Sequence, residues 1–431
     1  MRALLQKLFI NRDYGLLFMG RLVSQVGDGI LYFALTWLVL DLTGSGTALG
    51  TLLLVSSIPG VVLAPLAGVL ADMWNRKSIV VITDIVRGLV LLALGAVHAA
   101  GHLSLAMLYA ATIAFSICGV LFGPAISAAI PGMVKREELT AANARNNFSR
   151  SATGIIGPAL GALLLALVGY TGVFIITGIC FLLSALSEMF IRFPKQELGT
   201  SQRGWEQVRA YGVNFRDGFT YVWQNSSLRG MIGYAIALNF IAAPIMSIIM
   251  PYFGKEVLQM SAEHYGLVKS AVPAGLLIGT FFVGALTQRI SKERLLVGGV
   301  IGQGLGGMLI GVAAMPVVYQ QLSEVTLLGS LLVPAFLIGV LNVLVNVPLQ
   351  VMLQETIPDK FRGRVFGLID GLVTMLVPVA LGAFGPAVDR FAPHVLFLIC
   401  SGGMAAIGVL MDRSPKLAGL YDVKMQESPR L

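Results

Sequence analysis

The first long apolar segment of this chain carries a row of polar side chains that could bind a proton or a small molecule. Their spacings of three, four and seven residues place them on one helix face: Arg21, Ser24, Gln25 and Asp28. If the segment spans a membrane, Asp28 lies about 20 Å along it, where a carboxylate normally faces a cavity or a partner. We predict that Asp28 couples proton and substrate binding; a carboxylate that only positions the helix is the alternative.

Other apolar segments contain further ionisable side chains. Asp84 and Arg87 are three residues apart, so they share a helix face and are predicted to neutralise each other as an ion pair. A direct role in proton coupling is the alternative. Asp370 lies six residues after Arg364, and the same two interpretations apply to it. Lys269 is predicted to extend its long side chain to the membrane surface.

Neutral amides form a second polar row. In the tenth apolar segment they recur every four residues: Asn342, Asn346, Gln350 and Gln354. Asn239 lies in the middle of the seventh segment. Such amides either line a transport pathway or hydrogen-bond between helices, so Asn239, Asn342 and Asn346 are candidate substrate contacts.

The elements that position these residues are predicted from composition. Of 431 residues, 56% are hydrophobic and 12% are charged, whereas a soluble protein has about 25% charged residues. A spanning helix needs about 20 apolar residues. Twelve runs of that length lie near 15–41, 48–71, 78–98, 104–132, 144–168, 171–191, 229–253, 263–288, 295–315, 326–353, 365–388 and 391–411. We therefore predict an all-α integral membrane protein with twelve transmembrane helices.

The basic residues predict the orientation. Nearly all lysines and arginines fall in the even-numbered connections and near the two ends, while only Lys255 and Arg390 fall on the opposite side. By the positive-inside rule, both termini are cytoplasmic and the protein is a multi-pass protein of the inner (cytoplasmic) membrane. The polar stretch 192–224 is predicted to contain an amphipathic helix on the membrane surface.

The two halves of the chain repeat each other. GVLADMWNRKSIV at 68–80 recurs as GALTQRISKERLL at 284–296, and MVKREELTAANA at 133–144 has a counterpart in TIPDKFRGRVFG at 356–367. The repeat predicts two pseudo-symmetric six-helix bundles, with a substrate site near the midplane between them. The predicted domains are 1–191, a linker 192–228, 229–412 and a cytoplasmic tail 413–431.

The loop after the second segment resembles the loop signature of the major facilitator superfamily. The matching residues are Gly68, Asp72, Arg76 and Lys77. The opening residues and the AAN at 141–143 are similar to the drug-exporter branch that includes macrolide efflux proteins and the enterobactin exporter. The resemblance implies that Asp72 latches a cytoplasmic gate, that Arg76 and Lys77 hold the loop, and that Arg364 is a partner in the opposite bundle. Basic anchoring with an incidental acid is the alternative.

The fifth segment contains a glycine-proline pattern similar to the signature of the family's antiporters: Gly154, Gly157, Pro158 and Gly161. Glycines at this spacing permit close helix approach, and the proline permits a bend. Packing of small residues alone would give the same pattern. Antiport is therefore one of two interpretations of this segment.

The energy source and the excluded classes follow from what the sequence contains. There is no phosphate-binding G-x-x-x-x-G-K-[ST] loop, so we predict a secondary active transporter without a cofactor or metal. The expected activity is proton-coupled efflux of amphipathic small molecules, drug-like or siderophore-like, by alternating access. A lipid or lysolipid translocase and a solute importer are alternatives, and another ion could replace the proton.

Other classes of protein fit the sequence less well. A membrane-embedded enzyme would need a cluster of catalytic side chains, and a scaffold would need a sizeable soluble domain; the sequence shows neither. Dispersed basic residues exclude nucleic acid as a partner, and we expect a monomer in the lipid bilayer.

Overall fold

The computed structural model describes residues 10–194 and 201–414, apart from the side chains at 64, 65, 72, 201–208, 210, 211, 214 and 374. This part of the chain is helical and contains no strand. The principal helices are α1 Arg12–Thr43, α2 Gly46–Met73, α3 Arg76–Ala99, α4 Leu105–Met133, α5 Leu139–Met189, α6 Ser201–Gln224, α7 Ser226–Pro244, α8 Ala262–Arg289, α9 Lys292–Ala313, α10 Glu324–Thr356, α11 Asp359–Arg390 and α12 Pro393–Asp412. The all-α fold predicted from composition is confirmed.

Polar residues begin many of these helices. Asn11 Oδ1 accepts a hydrogen bond from Tyr14 N at 2.8 Å, and Asn75 Oδ1 accepts one from Ser78 N at 3.2 Å. These side chains satisfy backbone donors that have no partner within the first turn of a helix. α1 ends at Gly44, whose φ of 58° is the left-handed conformation that glycine adopts at little cost.

Eleven helices in the described residues are long and apolar enough to cross a membrane. One of them, α5, contains Gly169 with φ 64° and ψ −176°, which is not a helical conformation. The break falls between the predicted segments 144–168 and 171–191, so α5 supplies two spans. The twelve predicted spans are therefore accounted for.

Helix α7 continues beyond Pro244 through two π-helical turns, Ile245–Ile249 and Phe253–Val257. A π turn replaces the regular hydrogen-bond ladder of an α-helix with a wider one. The seventh span therefore extends a few residues past the predicted limit near 253. Hydropathy reports the length of an apolar run and not its hydrogen-bond register, so it could not indicate these turns.

Contacts divide the chain into two compact units. Unit 1 contains the residues up to Gly44, Leu52–Tyr211 and Ser261–Gly266, and unit 2 contains Ser45–Thr51, Gly212–Met260 and the residues from Leu267 onward. The division falls inside the predicted linker 192–228. The sequence did not predict that Ser45–Thr51 would group with unit 2 or that Ser261–Gly266 would group with unit 1. The predicted domain limits stay a prediction.

In unit 1, α5 is the central helix. It packs against α1 and α3, and α3 also packs against α4. A buried apolar cluster that includes Tyr14, Leu17, Val80 and Ile126 joins α1, α3 and α4. The polar residues of α1 and α3 are therefore carried by helices that both pack against α5.

In unit 2, α9 packs against α10 and α12, and α7 packs against α11 and α12. Asp389, near the end of α11, accepts hydrogen bonds from Gly46 N at 2.6 Å and Thr47 N at 2.8 Å. The hydroxyls of Ser45 and Thr47 donate to the same carboxylate. This carboxylate therefore caps the start of α2 from another helix.

The predicted amphipathic helix is present as α6. Arg364 Nη1 on α11 donates to Asp217 Oδ2 on α6 at 2.9 Å, and the rings of Tyr221 and Phe361 stack at 4.6 Å. Phe219 and Trp223 are exposed. The second half of α6 therefore docks on α11, an attachment that the sequence did not predict, and its place at a membrane surface stays a prediction.

Candidate proton-binding site

The guanidinium of Arg87 lies at the centre of a buried ionisable cluster in unit 1. Its Nη1 is 3.7 Å from Asp84 Oδ1 and 3.9 Å from Asp28 Oδ2. Asp84 is on the same helix, and Asp28 comes from α1. Arg87 therefore faces both carboxylates, whereas the sequence had paired it with Asp84 alone.

Aromatic rings surround Arg87. The rings of Phe122 and Phe181 have their centroids 5.5 Å from its guanidinium carbon, and that of Phe115 lies at 5.9 Å. A cation over a ring face is attracted by the ring quadrupole. The rings hold the guanidinium in place, but they do not neutralise its charge. Sequence spacing gave no signal for this arrangement, because the rings come from both α4 and α5.

Ser24 connects the cluster to α5. Its Oγ lies 2.9 Å from Asp84 Oδ2 and 2.8 Å from Ser184 Oγ. Ser184 Oγ is in turn 3.5 Å from Glu188 Oε1. A continuous row of oxygen atoms therefore runs from Asp84 through two hydroxyls to a second carboxyl group.

Glu188 is the functional candidate that sequence reasoning missed. Its residue exposure is 0%, and its Oε2 has no hydrogen-bond partner within the described residues. It lies one residue before the end of α5, and an acidic side chain at a helix end is usually exposed to solvent. The available signal was the four-residue spacing of Ser184 and Glu188, which places both on one face of an apolar helix.

The polar row of α1 separates into different environments. Ser24 is buried, and Gln25 accepts a hydrogen bond from Ser149 Oγ on α5 at 2.6 Å. The Asp28 side chain is 48% exposed within the protein, and Arg21 is half-buried. One face of α1 therefore serves both interhelical contacts and an open surface, and Asp28 is the member that joins the two.

The glycine pattern of α5 brings α1 and α5 together beside Asp28. A Cβ added at Gly157 would lie 2.8 Å from the Cα of Gly29, and one at Gly161 would lie 3.1 Å from the Cα of Ile30. Pro158 is buried in the interior of the helix. Gly154 differs, because nothing lies within 4 Å of its added Cβ. The part of Gly154 in the packing motif stays a prediction.

The basic residues of the loop motif bind backbone carbonyls. Arg76 Nη1 donates to Ala128 O at 3.0 Å, and Lys77 Nζ donates to Met189 O at 2.6 Å and to Ile191 O at 3.0 Å. Lys77 thus caps the end of α5, next to Glu188. The Asp72 side chain lies outside the described residues, and the surroundings of Gly68 are open. The gate latch, including the role of Arg364, stays a prediction.

The predicted polar residues of unit 2 do not form a comparable cluster among the described side chains. Asp370 is exposed on α11. Asn239 Nδ2 donates to Ala235 O at 2.9 Å, and Asn346 Nδ2 donates to Asn342 Oδ1 at 2.9 Å. These hydrogen bonds lie within one helix, so they are not the interhelical bonds of one interpretation; the other, that the amides line a transport pathway, stays a prediction.

Lys269 does not extend to the surface as predicted. It is half-buried, and its Nζ donates to Met246 O at 2.9 Å. Met246 belongs to the π turn after α7, where the displaced ladder presents a carbonyl to the neighbouring helix. The described residues contain no group of three His, Cys, Asp or Glu side chains placed to hold a metal ion.

The comparisons with known proteins agree on one family. The family model of the Major Facilitator Superfamily matches residues 17–383. Macrolide efflux protein A of Streptococcus pyogenes is 23% identical over 91% of this chain and 93% of its own. The multidrug efflux pump Tap of Mycolicibacterium fortuitum is 24% identical over 94% of this chain and 96% of its own.

Solved structures share the fold at low identity. The nucleoside transporter NupG aligns with a TM-score of 0.68 at 13% identity, over 94% of this chain and 99% of its own. A bacterial homologue of the iron transporter ferroportin in the inward-facing state aligns with a TM-score of 0.69 at 18% identity, over 93% and 98%. At these identities the likeness is one of fold.

Proposed function

Because the chain belongs to the Major Facilitator Superfamily of membrane transporters, we propose that it is a proton-coupled exporter of amphipathic small molecules. It works by alternating access in the cytoplasmic membrane, with both termini inside the cell. The observation that carries the proposal is the Asp28–Arg87–Asp84 cluster, in which one guanidinium lies near two carboxyl groups. Two relatives, an efflux protein and an efflux pump, favour the outward direction.

The position of Asp28 suits a group that gains and loses a proton. Its side chain is 48% exposed, while Asp84 and Arg87 are buried. When Asp28 is ionised, it attracts both Arg87 and any cationic group in the open space beside it. When it is protonated, both attractions are lost. A proton and a cationic substrate therefore compete for one carboxyl, which is the requirement for exchanging them.

Transport by inverted membrane vesicles tests this proposal. A fluorescent hydrophobic cation is supplied outside the vesicles, and a pH gradient is imposed with the vesicle interior acidic. We expect wild-type vesicles to accumulate the probe and an uncoupler to abolish accumulation. Asp28→Asn should lose gradient-driven accumulation, because an amide does not titrate. Asp412→Asn, the same change at an exposed position at the end of α12, is the matched control.

Several outcomes would contradict the proposal. Unchanged accumulation by Asp28→Asn at equal expression would remove Asp28 from coupling. Probe movement out of the vesicles would indicate an importer. Movement of a labelled lysolipid, with no movement of the soluble probe, would indicate a lipid translocase. If wild-type transport does not respond to the uncoupler but depends on a sodium gradient, the coupling ion is sodium and not the proton.

A further inference from the structure

We propose that Glu188 is a second proton-binding carboxyl, which shares one proton with Asp84 through the hydroxyls of Ser184 and Ser24. The inference deepens the proposed proton coupling and rests on it only for the use that transport makes of this proton. The residues lie on three helices of unit 1: Ser24 on α1, Asp84 on α3, and Ser184 and Glu188 on α5.

The donors along the row of oxygens leave Glu188 poorly satisfied. The row has three contacts: Asp84 to Ser24 at 2.9 Å, Ser24 to Ser184 at 2.8 Å, and Ser184 to Glu188 at 3.5 Å. Each serine supplies one hydrogen, so the two hydroxyls suffice for the two short contacts. The distance from Ser184 to Glu188 exceeds the usual O–H···O range of about 2.5–3.0 Å, so Glu188 receives no short hydrogen bond from the row.

The end that carries the proton is decided by the neighbouring charges. Asp84 lies 3.7 Å from the Arg87 guanidinium, which favours its ionised form. Ser24 then donates to Asp84. The Ser184 hydroxyl lies 3.5 Å from Glu188 Oε1, and Glu188 Oε2 has no hydrogen-bond partner among the described residues. An ionised Glu188 would therefore be poorly satisfied, so the proton belongs at this end of the row.

A hydrogen bond from Ser24 to its own helix does not change the conclusion. Ser24 Oγ also lies 3.1 Å from Gly20 O. If its hydrogen goes there, the contact with Asp84 requires a hydrogen from Asp84 itself. In either arrangement the hydrogen of Ser24 is not directed to Glu188.

Burial and charge balance favour a neutral Glu188. Glu188 and Asp84 are 0% exposed and Arg87 is 5% exposed. One buried cation balances one buried carboxylate, and a second ionised carboxylate in an apolar interior would be strongly unfavourable. With Glu188 neutral, the buried part of the cluster has no net charge. Asp28 is not part of this buried group, because its side chain is 48% exposed.

The groups around Glu188 come from four helices. α1 presents Ser24 beside Gly20, α3 presents Asp84 and Arg87, and α5 presents Ser184. From α4, Cys118 lies near Arg87 and Asp84. The ammonium of Lys77 is bonded to the carbonyls of Met189 and Ile191, at the cytoplasmic end of α5 in the predicted topology.

The row also allows the proton to move. Glu188 gives its proton to Ser184, Ser184 gives its own to Ser24, and Ser24 gives its own to Asp84. Each hydroxyl gains one O–H bond as it loses another, so the net change is an ionised Glu188 and a protonated Asp84. The 3.5 Å contact of Ser184 with Glu188 is the longest of the three, so this step requires the two side chains to approach.

Infrared spectroscopy of the purified full chain tests the proposal without a transport assay. A protonated carboxylic acid has a C=O stretching band, separate from the carboxylate bands, that shifts on exchange into heavy water. We expect this band in wild-type protein at neutral pH and its loss in Glu188→Gln. Glu263→Gln, the same change at an exposed position at the start of α8, should retain the band. Ser184→Ala, which removes the adjoining hydroxyl, should shift it.

The outcomes separate this inference from the proposed function. An unchanged band in folded Glu188→Gln would overturn the inference. If Glu188→Gln does not fold, an unshifted band in Ser184→Ala would overturn it instead. The band in Asp28→Asn is expected to persist. Transport that ignores the proton gradient, together with a band assigned to Glu188, would reject proton-coupled export and leave the bound proton established.

Discussion

At the scale of single residues, Arg87 determines the charge state of the site. It is the buried cation beside Asp84 and Asp28, and three aromatic rings enclose it. A guanidinium stays protonated in proteins, so the proton count of the cluster changes only at the carboxyl groups. A fixed positive charge with titrating neighbours is a suitable basis for proton exchange.

Replacing Arg87 should therefore destabilise the protein as well as affect transport. In Arg87→Gln, Asp84 stays buried without its cation, and removing one partner of a buried ion pair costs about 3–5 kcal/mol. Thermal unfolding in detergent should show the loss, while Arg390→Gln, at an exposed position, should not. The double variant Arg87→Gln with Asp84→Asn should recover part of the stability. Equal melting temperatures for the single variant and wild type would contradict this role.

At the scale of elements, the approach of α1 to α5 positions the cluster. Gly29 and Gly157 face each other so closely that neither has room for a side chain. Gln25 of α1 and Ser149 of α5 bond across this interface, and Asp28 precedes Gly29 in the sequence. Because α3, which carries Arg87, also packs on α5, the close approach of α1 to α5 helps to position the carboxyl of Asp28 relative to Arg87.

A single methyl group should test the importance of this approach. In Gly157→Ala the new Cβ would lie 2.8 Å from a backbone atom of Gly29, which cannot rotate away. Separation of the helices should cost about 1–3 kcal/mol of stability and reduce transport. Gly154→Ala is the matched control on the same helix, and it should be neutral or stabilise by about 0.5–1 kcal/mol. Equal effects of the two changes would show that helix contact is not the reason.

At the scale of the whole molecule, the distribution of basic residues predicts the orientation. Arg76, Lys77, Lys135 and Arg136 follow the second and fourth spans, and such residues remain in the cytoplasm during insertion. This orientation would place the end of α5, with Lys77 and Glu188, near the cytoplasmic face.

Reporter fusions would check that orientation. Alkaline phosphatase, which is active only outside the cytoplasm, should be active when fused within 100–104 and inactive when fused within 134–138. A fluorescent protein at the C-terminus should fluoresce. Activities in the reverse order would overturn the predicted topology without affecting the contacts described within unit 1.

The sequence by itself determined the number and placement of the spanning helices, since hydropathy and basic residues are properties of continuous segments. It also identified Asp28, Asp84 and Arg87, because ionisable residues are conspicuous in apolar runs. Only the tertiary structure brought Asp28 to Arg87, joined Ser24 to Ser184 and Glu188, and distinguished Gly157 from Gly154. These relations depend on which faces of separate helices meet, and periodicity within one helix contains no information about its neighbours.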